Sequence, residues 1–277
     1  MKKIDGNKIA AAIRQQLKSK VSNLPNKPGL AIILVGDNSA SHTYVQLKES
    51  AADEIGINFK KYLFPSTVPQ ADIIDKINQL NNDSSINGIL VQLPLPKGFN
   101  EDAVIASIKP VKDVDGFHPD NIKALISGRS GIIPGLAAGI VELIVSTKET
   151  LSGKTAMIFA NNPIFSDPLE YLLDRRGVKA VTCHADAEDC WHLTKEADIV
   201  VVAVGRSKFI NGDMIKKGAI VIDVGFNHVD GRVIGDVDVE SVQDKASWLT
   251  PVPGGVGPMT VAMLLSNVIK AYELQSQ

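Results

Sequence analysis

Short apolar runs alternate along the chain with segments of helical period, which predicts parallel sheets covered by helices. Leu30 to Val35 reads as a buried strand between Pro28-Gly29 and Gly36. A helix follows, with Asn38 or Ser39 as its N-cap and Gly56 just past its end. The next elements are a strand over Ile57 to Leu63, a helix near Ala71 to Leu80, and a strand over Ile89 to Leu93 halted by Pro94 and Pro96. The pattern changes after His118. Ile126 to Pro134 is rich in Gly and Ser, and a helix is expected from about Leu136 to Val145. Strands then recur at Thr155–Ala160, Val178–Cys183, Ile199–Val204 and Ala219–Val224, with helices between the first three. This second βαβ series has the pattern of a dinucleotide-binding fold. A last helix starts near Pro258, a residue suited to a first helical turn, and runs to about Leu274.

The expected fold is therefore α/β with two parallel-sheet domains, the second Rossmann-like. Residues 1–135 would form the first domain, with the C-terminal helix 256–277 returning to it, and residues 136–255 the second. Composition narrows the class further. The chain has 277 residues, 44% hydrophobic and 22% charged, enough for sizeable cores in a soluble protein. A net charge of -2 gives no electrostatic reason to expect nucleic acid or an anionic membrane as partner. The N-terminus runs into a mixed-charge helix with no signal-peptide core, and no apolar run approaches a membrane span. Cys183 and Cys190 are too few for a disulfide framework and lie near no metal-spaced cluster. They read as buried thiols of a reducing compartment, so a cytoplasmic protein without a metal is expected.

Four segments could carry chemistry. On the helix after the first strand, Tyr44 and Lys48 are four residues apart and share the face of Ala51, Ala52 and Ile55. Lys48 either snorkels to solvent along its alkyl stem or is held in a cleft for use. Gln92 sits at the carboxyl end of a buried strand, where open parallel sheets bind ligands or where it caps the sheet. Lys112-Asp113-Val114-Asp115-Gly116-Phe117-His118 puts two carboxylates in a turn. They could form an Asx-turn, or grip adjacent N–H donors of a ligand. Thr250 to Thr260 has three glycines among three prolines, the chemistry of a rigid loop whose backbone can approach a flat ligand.

Together these motifs resemble the FolD-type methylenetetrahydrofolate dehydrogenase/methenyltetrahydrofolate cyclohydrolase family. The matching pieces are Tyr44-Val45-x-x-Lys48, Val91-Gln92-Leu93-Pro94-Leu95-Pro96, Lys112 to His118, and Pro251 to Thr260. Val204-Gly205 and Asp223-Val224-Gly225-x-Asn227 match as well, so the likeness spans essentially the whole chain. The resemblance implies a homodimer acting on tetrahydrofolate derivatives in one-carbon metabolism, including the supply for purine biosynthesis. Its site would lie in a cleft between a folate domain and an NAD(P) domain. One activity moves a hydride from methylene-tetrahydrofolate to NADP or NAD; the other adds water to the methenyl cation. The implied catalytic set is Lys48, Gln92, Asp115 and Tyr44, with Lys48 as general acid/base, Gln92 orienting it, Tyr44 packing on the folate rings and Asp115 binding the pterin edge. Pro253, Gly254 and Gly255 would touch substrate. Ala160, Asn161, Asn162, His184, Ala185, Val204, Gly205 and Phe226 would line the cofactor.

Two segments depart from the family pattern. Pro134-Gly135-Leu136-Ala137 stands where the family has Pro-Cys-Thr-Pro. Ala160-Asn161-Asn162-Pro163-Ile164-Phe165-Ser166-Asp167-Pro168 replaces Gly-Arg-Ser-x-x-Val-Gly-x-Pro, losing both glycines and the phosphate-facing arginine. An arginine contact of that kind is worth ~1.5–3 kcal/mol, and Asp186 falls where an acidic residue binds the ribose of NAD and repels the extra phosphate of NADP. Cyclohydrolase chemistry is therefore expected to be preserved, and dehydrogenase activity to be preserved, weakened or lost. Two other classes stay open: a catalytically idle folate-binding or dimer-partner homologue, and a dehydrogenase of another small molecule. The complete Tyr44, Lys48, Gln92, Asp115 set weighs against the first, and the absence of G-x-G-x-x-G against the second.

Overall fold

The computed structural model describes residues 1–187 and 190–276. In chain order its elements begin with β1 (Lys2–Lys3), α1 (Gly6–Ser22), β2 (Gly29–Val35), α2 (Ser39–Ile55), β3 (Asn58–Phe64), α3 (Gln70–Asn82) and β4 (Gly88–Val91). Next come α4 (Glu101–Ala106), α5 (Pro119–Ile126), α6 (Gly135–Ser146), β5 (Thr155–Ala160), α7 (Pro163–Asp174), β6 (Lys179–Cys183), α8 (Trp191–Thr194) and β7 (Ile199–Ala203). The last are β8 (Ile220–Asp223), β9 (Asn227–Val229), β10 (Arg232–Ile234), α9 (Val239–Val242), β11 (Trp248–Leu249) and α10 (Val256–Gln275). Two compact units result: Ala11–Gly135 with Val261–Gln277, and Met1–Ala10 with Leu136–Thr260.

The first unit is built on a three-stranded parallel sheet in the order β3-β2-β4. β2 is buried along its whole length, and its alternation explains why it is apolar throughout. Leu30, Ile32 and Leu34 enter one core with Val45, Ala52, Ile55, Leu265 and Val268. Ala31, Ile33 and Val35 enter another with Ile73, Ile77 and Val104. α2 is set between its caps as expected. Asn38, and not Ser39, is the N-cap, its side chain accepting from Ser41 N at 3.0 Å. Gly56 closes the helix in the left-handed conformation at φ +88°, its N–H donating to Ala52 O.

The second unit carries a six-stranded parallel sheet in the order β1-β11-β8-β7-β5-β6. Chain order reverses between β5 and β7, the switch point where doubly wound sheets bind ligands. The first residues join this unit because Lys2 and Lys3 pair with Trp248 and Leu249. β8 is buried between β7 and β11 within its own sheet, so its apolar sequence needs no second subunit to cover it. The helix expected between the second and third strands of this series is only the four-residue α8. Trp191 there packs on Phe159 and Phe209 with ring centroids 5.3 Å away in each case. α10 starts at Val256, ahead of Pro258, which is still in the first turn, where a missing N–H costs no intrahelical bond. β9 and β10 form an antiparallel hairpin that the periodicity misses. Its turn is Asp230-Gly231, both residues left-handed, the dipeptide a tight hairpin favours.

One expectation is corrected outright. Cys183 and Cys190 are not separate thiols but are joined in a disulfide, with Cα atoms 6.3 Å apart. The reason is local: the chain turns back after β6 and reaches α8 within seven residues, so spacing alone could not show that the sulfurs meet. Among the described residues no helix is long and apolar enough to cross a membrane, and no group of three or more His, Cys, Asp or Glu could hold a metal ion.

Candidate active site and dinucleotide-binding strand ends

In the three-stranded unit, the Lys48 ammonium is not carried out to solvent. Its Nζ donates to Gln92 Oε1 at 2.8 Å. Helical period puts Lys48 one turn after Tyr44, and Gln92 N continues the sheet past β4 by donating to Ile33 O at 2.8 Å. The Gln92 amide is oriented at both ends, because Nε2 donates to Leu93 O at 2.7 Å. Burial pushes the Lys48 amine below its usual range, with the nearby Asp115 opposing. Burial also lifts the Asp115 carboxyl to about 6, Lys48 holding it down and Asp113 pushing it up. Burial raises the Tyr44 hydroxyl. The proton affinities of the amine and the carboxyl are thus shifted toward one another from opposite sides.

The two carboxylates of the turn separate into different jobs. Asp113 is 1% exposed and accepts from Gly116 N at 3.1 Å, His118 N at 2.7 Å and Asn121 Nδ2 at 3.0 Å. It makes the turn. Gly116 completes it at φ +83°, with Pro134 N only 2.6 Å from where a Cβ would stand. Asp115, between them, is left to interact with Lys48. The Asx-turn reading of the segment holds for Asp113.

In the six-stranded unit, the expected cofactor residues fall at the carboxyl ends of four adjacent strands. Ala160, Asn161 and Asn162 end β5, His184 and Ala185 follow β6, Val204 and Gly205 follow β7, and Phe226 follows β8. Neighbouring ends are tied together: Ala185 N donates to Asn161 Oδ1 at 3.2 Å, and Arg206 pairs with Asp186 at 2.6 Å. Val204 N and Gly205 N both donate to Asp236 Oδ2. The Phe226 ring meets His228 edge-on at 5.3 Å.

In the same unit, Gly254 is left-handed at φ +101°, and a Cβ on Gly6 would run into the carbonyl of Gly255. Asn7 N also donates to Gly254 O at 3.2 Å. The loop backbone thus requires glycine at position 6, whereas a Cβ on Gly255 would meet Pro251 O at 2.6 Å and Thr250 Cβ at 2.7 Å within the loop itself.

Residues 4–115 match the model of the tetrahydrofolate dehydrogenase/cyclohydrolase catalytic domain, and residues 134–276 match that family's NAD(P)-binding domain. The chain belongs to the tetrahydrofolate dehydrogenase/cyclohydrolase family. It is 47% identical to the bifunctional protein FolD of Halothermothrix orenii, over 97% of this chain and 96% of that protein. The crystal structure of the bifunctional FolD from Campylobacter jejuni superposes with a TM-score of 0.96 at 42% identity, covering 99% of both chains. The FolD structure of Trypanosoma brucei, complexed with NADP cofactor and inhibitor, gives 0.94 at 33% identity, covering 99% of this chain and 98% of that one. The family is one of bifunctional methylenetetrahydrofolate dehydrogenase/cyclohydrolase enzymes, and this chain is an enzyme of one-carbon folate metabolism.

The strand ends fit a dinucleotide. Gly205 is exposed at φ +69° with nothing within 4 Å of a Cβ position, and Asn161, Asn162 and His184 are exposed on neighbouring ends. The start of α7 offers fewer donors. Pro163 has no N–H, Ile164 N is taken by Asn162 Oδ1 at 2.9 Å, and Phe165 N and Ser166 N by Asn162 O. Sequence reasoning missed Arg206, Asp236 and the Asn227–Asp236 contact at 2.8 Å. A faint signal existed: in Asp223-Val224-Gly225 and Gly235-Asp236, each glycine leaves space that the other segment's aspartate fills.

Proposed function

We propose that this enzyme interconverts methylene-, methenyl- and formyl-tetrahydrofolate, with Lys48 as the proton-transferring group of the hydrolytic step. The observation that carries this reading is the 2.8 Å bond from Lys48 Nζ to Gln92 Oε1 beside Asp115. Water adds to the methenyl cation and releases one proton. One carbon–nitrogen bond then breaks as the added hydroxyl gives up its own proton to become the formyl carbonyl. Two protons thus leave the water; one ends on the departing nitrogen and one is released to solvent. An amine kept below its ordinary proton affinity can accept the first proton and return it to the departing nitrogen. Gln92 holds the amine in place, Tyr44 stacks on the folate rings, and Asp115 accepts from the pterin edge. The test is methenyl-tetrahydrofolate hydrolysis by Lys48→Met, with folate binding and folding checked alongside. Retention of rate within a few-fold would show that the amine plays no chemical part. Gln92→Ala should also slow hydrolysis, with an effect that does not simply add to that of Lys48→Met.

The nicotinamide cofactor, when bound, accepts the hydride from the methylene carbon; Ala160 to Asn162, His184, Ala185, Val204, Gly205 and Phe226 are the residues that hold it. Its phosphate grip is reduced, because Asn162 and Pro163 leave α7 without a free amide in its first turn. Asp186 favours a ribose hydroxyl over a phosphate, and its pairing with Arg206 occupies the nearby cation. Dinucleotide binding is therefore weak and without preference for NADP, a reading that calorimetric titration of both nucleotides would overturn by finding micromolar NADP bound more tightly than NAD. The chain acts as a homodimer. β3 is an edge strand with Leu63 58% exposed, and light scattering showing a monomer at micromolar concentration would contradict this.

A further inference from the structure

Two buried aspartates in the six-stranded unit have no part in the chemistry above. Asp236 is 0% and Asp223 2% exposed. The side chain of Asp236 gathers donors from two segments. Its Oδ2 accepts from Val204 N at 2.8 Å and Gly205 N at 2.9 Å, just past β7. Its Oδ1 accepts from Asn227 Nδ2 at 2.8 Å, at the start of β9. Asp223, at the end of β8, holds Asp236 itself in place: Asp236 N donates to Asp223 Oδ1 at 2.9 Å and Val237 N to Oδ2 at 3.0 Å. Gly225 N donates to Asp223 Oδ1 at 2.9 Å, and Asp223 N donates to Thr250 Oγ1 at 2.7 Å.

Burying a carboxylate costs several kcal/mol unless its hydrogen bonds are met, and an apolar side chain of like size often costs less. What an apolar side chain cannot do is turn two successive amides toward one point. With both amides facing Asp236, Gly205 takes its left-handed conformation and stays exposed, with no atom near its Cβ position. The other oxygen fixes Asn227, one residue beyond the exposed Phe226.

We propose that Asp236 is a positioning residue for the dinucleotide: one buried carboxylate locks together the Val204-Gly205 turn and the Phe226-Asn227 segment, the strand-end surfaces on which the cofactor rests. The inference depends on the reading that these segments contact the cofactor.

Asp236→Asn is the decisive substitution, because it puts a neutral oxygen before Val204 N and Gly205 N in place of a carboxylate and keeps a partner for Asn227 only if that side-chain amide turns over. Losing one hydrogen bond to a charged group should raise KM for the dinucleotide about tenfold or more. The kcat at saturation should stay within about threefold, as expected when binding and not the chemical step is disturbed. Methenyl hydrolysis should change little, and the melting temperature should fall by only a few degrees. The double variant D236N/N227D restores a donor facing an acceptor, so it should bring KM back to within about threefold of the parent. Where D236N does not fold, the double variant and Asn227→Ala decide; the latter keeps the carboxylate but frees Oδ1, and should raise KM by a smaller factor. An unchanged dinucleotide KM in these variants, beside normal nucleotide use by the parent, overturns the inference alone. Equal losses in KM, hydrolysis and melting temperature overturn it too, as they mark a merely structural role. A parent protein that binds neither NAD nor NADP overturns it together with the cofactor reading.

Discussion

The two sites of this enzyme are built on opposite plans. In the three-stranded unit the proposed working groups are side-chain ends: an amine, an amide and a carboxyl brought into range by α2, the end of β4 and one turn. In the six-stranded unit the proposed cofactor surface joins exposed side chains such as Asn161, His184 and Phe226 to a bare Gly205 backbone, with buried carboxylates beneath it. Asp236 and Asp223 never reach the surface, yet they set how the strand ends present themselves. Chemistry that moves protons needs tunable groups near the reacting atoms. Binding a long, flat cofactor needs a surface held still, and buried hydrogen bonds to backbone amides supply that.

The largest expected effect tests the first plan. Lys48→Met should slow methenyl hydrolysis about a thousandfold, within the range for losing a general acid/base, while dinucleotide affinity, measured by calorimetry, stays put. Loss of both would erase the distinction between the sites. Next comes Gly116→Ala, which probes the backbone beneath the Asp115 carboxyl. A Cβ there would lie 2.6 Å from Pro134 N in a left-handed residue, so urea unfolding should report a loss of about 3 kcal/mol or more. A loss below about 1 kcal/mol would mean that the turn adapts.

The pH dependence of stability separates the plans further. Asp115 has its proton affinity raised from 3.8 to about 6 in the fold. A raised acid binds its proton more tightly in the folded state, so its stabilising contribution is complete below about pH 4 and fades as pH climbs through about 6. Relative to Asp115→Asn, the parent should therefore lose on the order of 2 kcal/mol between pH 4 and pH 7. A flat difference across that range would show that Asp115 is not desolvated. The smallest effect concerns the cofactor rim. Asp186→Ser releases Arg206 from its 2.6 Å partner and should shift selectivity toward NADP by about tenfold. Unaltered selectivity, read from kcat/KM for each nucleotide, would move the selector elsewhere.

Much of this protein was legible in its sequence. Buried strands announce themselves because both faces of β2 and β7 must be apolar, and α2 was bracketed by Asn38 and Gly56. Lys48, Gln92 and Asp115 carried enough order and spacing to point to the family, because local geometry fixes which face of α2 and which end of β4 they occupy. The tertiary structure decided what depends on contacts between distant segments. Whether Lys48 reaches solvent or Gln92 is settled 44 residues away. Asp113 and Asp115 look alike in the chain and differ only because one meets Gly116, His118 and Asn121 while the other meets Lys48. Gly6 is a glycine because the Gly255 carbonyl lies against it, and Cys183 meets Cys190 because the chain folds back after β6. Asp236 has no periodicity to betray it: its partners at 204, 205 and 227 are backbone amides and a single side chain, groups that no local pattern encodes. Periodicity records which side of an element is buried, whereas hydrogen-bond partners across the fold exist only once the chain has closed.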